Sequence, residues 1–190
     1  MTTLPLTLPR EFTTPLRQVV DTERCIDEAK QHQTHDGDEP ALNVAIREAV
    51  HESRLRAEAF HRNVSVSGRS RLTTVGRGLA GRAYSMVGRF RPEAHSLGLR
   101  DDFVNCTLAA ANYSMLHTTA IALENEAVAG FAAQGLRTYA RLISDIRRAF
   151  PAAVVHDLSG IDGFFMIDIN AAAIATSQQL GLWSIPCTDH

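Results

Sequence analysis

Residues 101–151 read DDFVNCTLAAANYSMLHTTAIALENEAVAGFAAQGLRTYARLISDIRRAFP, and the fold turns on how this stretch is parsed. Two apolar periodic segments flank the polar Glu124-Asn125-Glu126. The first predicts a helix from Asp101 to about Leu123, with Val104, Leu108, Ala111, Met115 and Ala122 on one face. Asp101 and Asp102 supply N-cap chemistry and negative charge where the helix dipole favours it. The second segment predicts a helix that Asn125 caps and Pro151 bounds. It turns Val128, Ala132, Gly135, Tyr139, Leu142 and Ile146 inward. So short a connection makes the two helices run antiparallel.

Two more helices lie upstream. One starts near Pro15 behind Thr14 as N-cap, with Leu16, Val19, Val20, Ile26 and Ala29 as its stripe, and ends in the polar run His32 to Asp38. The next begins around Asp38-Glu39-Pro40 and carries Leu42, Ile46, Ala49, Ser53, Ala57 and Phe60. Glycines at 68, 76, 78, 81 and 88 interrupt the pattern that follows, which reads as loops around a short helix within about 71–87. Residues 1–14, broken by Pro5 and Pro9, read as an extended arm. Residues 151–190 read as a C-terminal extension, with an apolar run Gly163 to Ile167 and a short helix from Asn170 to Leu180 that must pack on the bundle or on a partner. The reading is all-α: a helical bundle over 15–150 with two appendages.

Composition agrees. The chain has 190 residues, enough for one domain, and its 45% hydrophobic content with only 6% aromatics favours Ala- and Leu-rich helices over a β sandwich. A net charge of −2 gives no global attraction to nucleic acid or an anionic membrane. No apolar run reaches the roughly 20 residues of a membrane span. The N-terminus has no signal-peptide pattern, so a cytoplasmic location is expected. The 3 cysteines, Cys25, Cys106 and Cys187, form neither a zinc spacing nor an even disulfide set.

Four long helices raise the question of what lies between them. In a di-iron bundle two helices each supply a Glu and two each supply a Glu-x-x-His pair. Glu23 falls on the first inward stripe, where a charge is costly unless paired or bound. Glu52 lies at the edge of the second stripe and is a candidate to turn inward. The third stripe holds no carboxylate, only Asn112, Ser114 and His117 nearby, and the fourth has Thr138 and Tyr139 beside Arg137 and Arg141. Such an interior holds too little negative charge for a pair of metal ions.

The order of segments over residues 15–150 resembles the YciE/YciF ferritin-like stress-protein family. Val20-Asp21-Thr22-Glu23-Arg24 resembles that family's first-helix ligand segment, and Ile46 to Arg54 its second-helix His-x-x-Glu-Thr-Arg, with Glu52-Ser53 on Glu-Thr. Val75 to Leu79 resembles its short Met-Glu-Gly-Leu element. Ala111-Asn112-Tyr113-Ser114 falls on its Glu-His-Tyr-Glu motif and keeps only the tyrosine. The resemblance implies a ferritin-like antiparallel four-helix bundle with a short helix between helices two and three, and a dimer or larger homo-oligomer. Its departures imply a protein without a complete di-iron site and without catalysis, so no cofactor is expected. The enzyme alternative is a di-iron or di-manganese oxidase or ferroxidase with an altered iron or manganese set of Glu23, Glu52 and His117.

Other groups carry less. His32-x-x-His35 with Asp36 and Asp38 has metal-ligand chemistry but reads as a solvated loop. The arginines from Arg62 to Arg91 form an acid-free patch that a third reading makes an anion or nucleic-acid binding module. Gly76-x-Gly78-x-x-Gly81 follows no clear strand, so it adds little to that reading. Tyr113 and Tyr139 are expected to pack in the bundle with each hydroxyl reaching a partner. No small-molecule substrate is legible.

Overall fold

The computed structural model describes residues 6–31, 40–66, 95–159 and 169–181. Four long helices dominate them: α1 (Thr13–Gln31), α2 (Ala41–Asn63), α3 (His95–Ala122) and α4 (Glu126–Ser159). A shorter helix, α5 (Ile169–Gly181), rides on α4. The fold class is all-α. Among the described residues the extended elements are two three-residue strands, β1 (Leu6–Leu8) and β2 (Val64–Val66), paired in parallel with Leu6 opposite Val64.

The packing forms a closed ring, α2 on α1, α1 on α3, α3 on α4 and α4 back on α2. Side-chain contacts give the directions. Arg24 meets Glu58 while Asp27 meets Arg54, so α1 and α2 are antiparallel. Thr22 meets Asn112 while Lys30 meets Asp102, so α1 and α3 are antiparallel. Phe60 stacks on Phe131 while Arg56 reaches Thr138, and Phe103 meets Phe150 while Tyr113 meets Tyr139; these pairs are antiparallel as well. It follows that α2 and α3, consecutive long helices, run parallel. A connection between parallel helices must travel the length of the molecule. That length is at least the span of α2, about 35 Å at 1.5 Å per residue.

Three sequence expectations change. The N-terminal arm is docked rather than merely extended: β1 pairs with β2, a 3-10 turn follows at Arg10–Phe12, and Leu8 and Phe12 are fully buried. Those two side chains anchor the arm through apolar burial. The third long helix starts at His95, not Asp101. Its cap comes from another helix: Asp157 Oδ1 accepts the His95 N–H at 2.9 Å and Oδ2 the Ser96 N–H at 2.8 Å. The fourth helix does not stop at Pro151. It runs on to Ser159, because Pro151 and Ala153 are buried and Asp157 is held at the α3 terminus. Those contacts outweigh the one backbone hydrogen bond that proline cannot make.

The α3 stripe is also the reverse of the one expected. The buried face is Leu99, Asp102, Cys106, Ala109, Tyr113, Leu116 and Ala120. Leu108 and Met115 point outward, 45% and 47% exposed, and Ala111 and Ala122 are exposed with them. This helix is apolar on both sides, so spacing alone does not say which side is buried. The other expectations hold more closely. Asn125 caps α4 through Oδ1 to the Val128 N–H at 3.0 Å, and Glu124 turns the chain with a φ of 52°. All six inward residues expected on α4 are buried. On α1, however, Ala29 is exposed, and Asp27 and Lys30 are buried instead. The short helix expected at 71–87, His32 to Asp38, Arg69 to Arg91 and the run Gly163 to Ile167 lie outside the described residues.

Candidate functional site

Glu23 is fully buried on the α1 stripe, with 0% of its surface exposed. A carboxylate stripped of water there needs hydrogen bonds in its place. Each of the other three long helices supplies one. Ser53 of α2 donates to Glu23 Oε1 at 2.6 Å, Tyr113 of α3 donates to the same oxygen at 2.7 Å, and Tyr139 of α4 donates to Oε2 at 2.6 Å. The Ser53 and Tyr113 hydroxyls are 3.5 Å apart, and the two tyrosine rings lie 5.9 Å apart. Four helices thus meet in one hydrogen-bonded knot at the centre of the molecule.

Burial pushes the Glu23 carboxyl above its ordinary range, while the hydrogen bonds from Ser53, Tyr139 and Tyr113 and the charge of Arg56 pull it part of the way back. Burial, and then the negative charge of Glu23, raises both phenols. Cys106 is raised by burial and then by Asp102, to about 12, which leaves it a thiol without nucleophilic character at neutral pH.

Gly135 makes room for this arrangement. A Cβ there would overlap ring carbons of Tyr113. Gly135→Ala is expected to lose roughly 1–3 kcal/mol of stability despite the better helix propensity of alanine, because the ring must leave its hydrogen bond to Glu23. Urea unfolding measures this loss, and a Gly135→Ala chain as stable as the parent would contradict it.

The donor set can be tested against a di-metal centre. Two bridged ions of that type draw carboxylates from every helix and imidazoles from two of them. Here the four helices contribute one carboxylate, two phenols and one aliphatic hydroxyl. Three of the carboxylate's lone-pair positions already accept O–H donors. Among the described residues no three His, Cys, Asp or Glu side chains converge as metal ligands do. The residues present do not fit the group.

The structure separates the three ligands named for the altered-metal alternative. Glu23 is central. Glu52 is not turned inward: its side chain is 72% exposed and lies 3.6 Å from Arg56, and its neighbour Ser53 takes the inward position. A charged group at the stripe edge reaches water at little cost, whereas serine can be buried once bonded. His117 is half-buried on α3, one turn beyond Tyr113 and outside the hydrogen bonds to Glu23.

A second charged layer lies farther along α1. Lys30 Nζ donates to Asp102, and the two side chains are only 6% and 3% exposed. Asp27, equally buried, lies 2.6 Å from Arg54 Nε, accepts from Gln31 Nε2 at 2.9 Å, and faces His51 Nδ1 at 3.3 Å. Arg54 continues to Glu58 at 3.2 Å. Sequence reading missed Asp27, Lys30 and Asp102. The signal was present on α1, since positions 27 and 30 continue the line of 16, 19, 20, 23 and 26. Asp102 gave none, because an acid near a helix start reads as a cap. Beside this layer a hollow of about 190 Å³ is lined by Arg24, Asp27, Glu28, Gln31 and Arg54, with both arginines already held by carboxylates.

No protein-family model, curated protein or solved structure matches the chain. Among the described residues no helix is long and apolar enough to cross a membrane.

Proposed function

We propose that this chain is a non-catalytic ferritin-like protein, a distant relative of the YciE/YciF stress proteins, which acts as a homo-oligomer. In this reading the place of a di-metal centre is taken by an all-protein hydrogen-bond knot. One observation carries it: each long helix sends one side chain to the same point, as in a ferritin-like metal site, but the convergent groups are Glu23, Ser53, Tyr113 and Tyr139. The helix order supports it too, because parallel second and third helices joined by a long crossover are the ferritin-like arrangement. The interior carboxylate serves as the acceptor that fixes three hydroxyls, and through them the register of four helices.

The test is metal analysis of protein expressed in medium supplemented with iron and manganese and purified without chelator. The expected content of either metal is far below one equivalent per chain, with no change in melting temperature when ferrous iron or manganese is added. A dinuclear complement whose loss follows Glu23→Gln would overturn the reading and favour the oxidase alternative.

A further inference from the structure

We infer that His95 and His156 form a binding site for one divalent transition-metal ion of the zinc type, which fastens the start of α3 to the end of α4. The inference is independent of the proposed function. Residue 157 lies roughly 27 Å along α4 from Tyr139 and the central hydrogen bonds, at 1.5 Å per residue.

The fold brings together two imidazoles that stand far apart in the sequence. His95 is the first residue of α3, and His156 lies in the last turn of α4. Their ring centroids are 6.0 Å apart and their planes are inclined at 61°. One nitrogen of each ring at about 2.0–2.1 Å from a shared zinc ion sets the centroids roughly 5–6 Å apart. The His156 side chain is 79% exposed, so it can make that adjustment without displacing a packed neighbour.

Asp157 prepares the place for a cation. Its carboxylate accepts the backbone N–H groups of His95 and Ser96, and Oδ1 lies 3.8 Å from His156 Nδ1. Burial works against its ionisation, but the hydrogen bonds from Ser96 and His95 outweigh burial and hold the carboxyl below its ordinary range. A fixed negative charge therefore stands beside both rings. The helix ends act in the same sense. The α4 dipole turns its negative end here, and Asp157 already neutralises the positive end of α3.

Both Asp157 oxygens are engaged by backbone donors, so the two imidazoles are the protein's ligands and water completes the shell. Imidazole suits zinc, nickel and copper, and the same site holds manganese and ferrous iron more weakly. Magnesium and calcium require oxygen ligands. An ion held by both rings ties the first turn of α3 to the part of α4 beyond Pro151, so binding stabilises the folded chain.

Calorimetric titration of the full chain with zinc chloride, after removal of metal with chelator and dialysis, tests the inference. About one equivalent is expected to bind. At zinc a hundredfold above the Kd the melting temperature is expected to rise by about 5–10 °C, and magnesium is expected to leave it unchanged. His95→Gln and His156→Gln keep the backbone N–H groups that Asp157 accepts, so each is expected to fold like the parent. Each is expected to weaken zinc binding by roughly tenfold or more and to remove the rise. His61→Gln, exposed in the last turn of α2, and Glu23→Gln are expected to bind zinc like the parent. A parent that binds no zinc overturns the site, and so does a His95→Gln, His156→Gln double variant that binds it as tightly as the parent. Loss of binding in His32→Gln with His35→Gln, but not in that double variant, assigns the ion to those histidines and also overturns it. An iron or manganese centre that depends on Glu23 would sink the proposed function and leave this site standing, so the two readings fail separately.

Discussion

Replacing Lys30 with Met is expected to destabilise the chain by about 3–5 kcal/mol, because it leaves the Asp102 carboxylate buried without its ammonium partner. Lys30 is the single lysine in a sequence whose other basic residues are all arginine. It is also almost completely buried, at 5% exposure. An ammonium is a compact charge on a flexible stem that can reach a carboxylate between packed helices; a planar guanidinium needs more room and more acceptors. Lys30→Arg is therefore expected to be destabilising as well, by less. The double variant Lys30→Met with Asp102→Leu should recover most of the loss, since a buried ion pair replaced by apolar groups of similar volume is commonly neutral or better. Urea denaturation of the two single variants and the double variant gives the coupling directly. If Lys30→Met unfolds at the parental urea concentration, the pair is not holding α1 to α3.

Glu23→Leu is expected to cost roughly 3 kcal/mol or more, because it orphans three buried hydroxyls at about 1–3 kcal/mol each, partly offset by removing a buried carboxylate. Adding Tyr113→Phe and Tyr139→Phe removes two of the orphans and should restore most of the stability. Glu23→Gln keeps an acceptor oxygen for Ser53 and Tyr113 and turns an N–H₂ toward the Tyr139 oxygen, so near-parental stability is expected at neutral pH. The comparison of Glu23→Gln with the parent also carries a pH signature. Burial raises the Glu23 carboxyl in the folded state above its ordinary value of 4.5, so the folded chain binds that proton more tightly than the unfolded chain. The stability linked to this proton is fully present below the unfolded value and is lost as pH rises through the folded one. The parent should therefore lose stability relative to Glu23→Gln between about pH 4.5 and neutrality. Melting temperatures of both proteins across that interval decide it, and parallel curves would show that burial does not dominate at Glu23.

Much of the central knot is legible in the sequence. Glu23 stood out as a charge on an apolar stripe. Ser53 and Tyr139 fell on the inward lines of their helices, and a buried tyrosine hydroxyl needs a partner. What periodicity could not show is that these residues meet at one height. Side-chain reach settled Glu52, since a flexible acid at a stripe edge takes water and leaves the inward place to its smaller neighbour. For α3, the pattern favoured Leu108 and Met115 over Tyr113 and Leu116, because both sides are apolar and only packing against α1 and α4 chooses between them.

The four long helices, the turn at Asn125, the inward face of α4 and the need for a partner at Glu23 were determined by the sequence itself, because each rests on local geometry and on the cost of burying charge. Tertiary structure alone decided that Asp157 begins α3, that α4 passes through Pro151, that Lys30 finds Asp102, and that one carboxylate gathers a hydroxyl from each of three other helices. Those outcomes depend on which residues stand at the same level on neighbouring helices. That quantity is a relation between distant segments, and no window of the chain contains it.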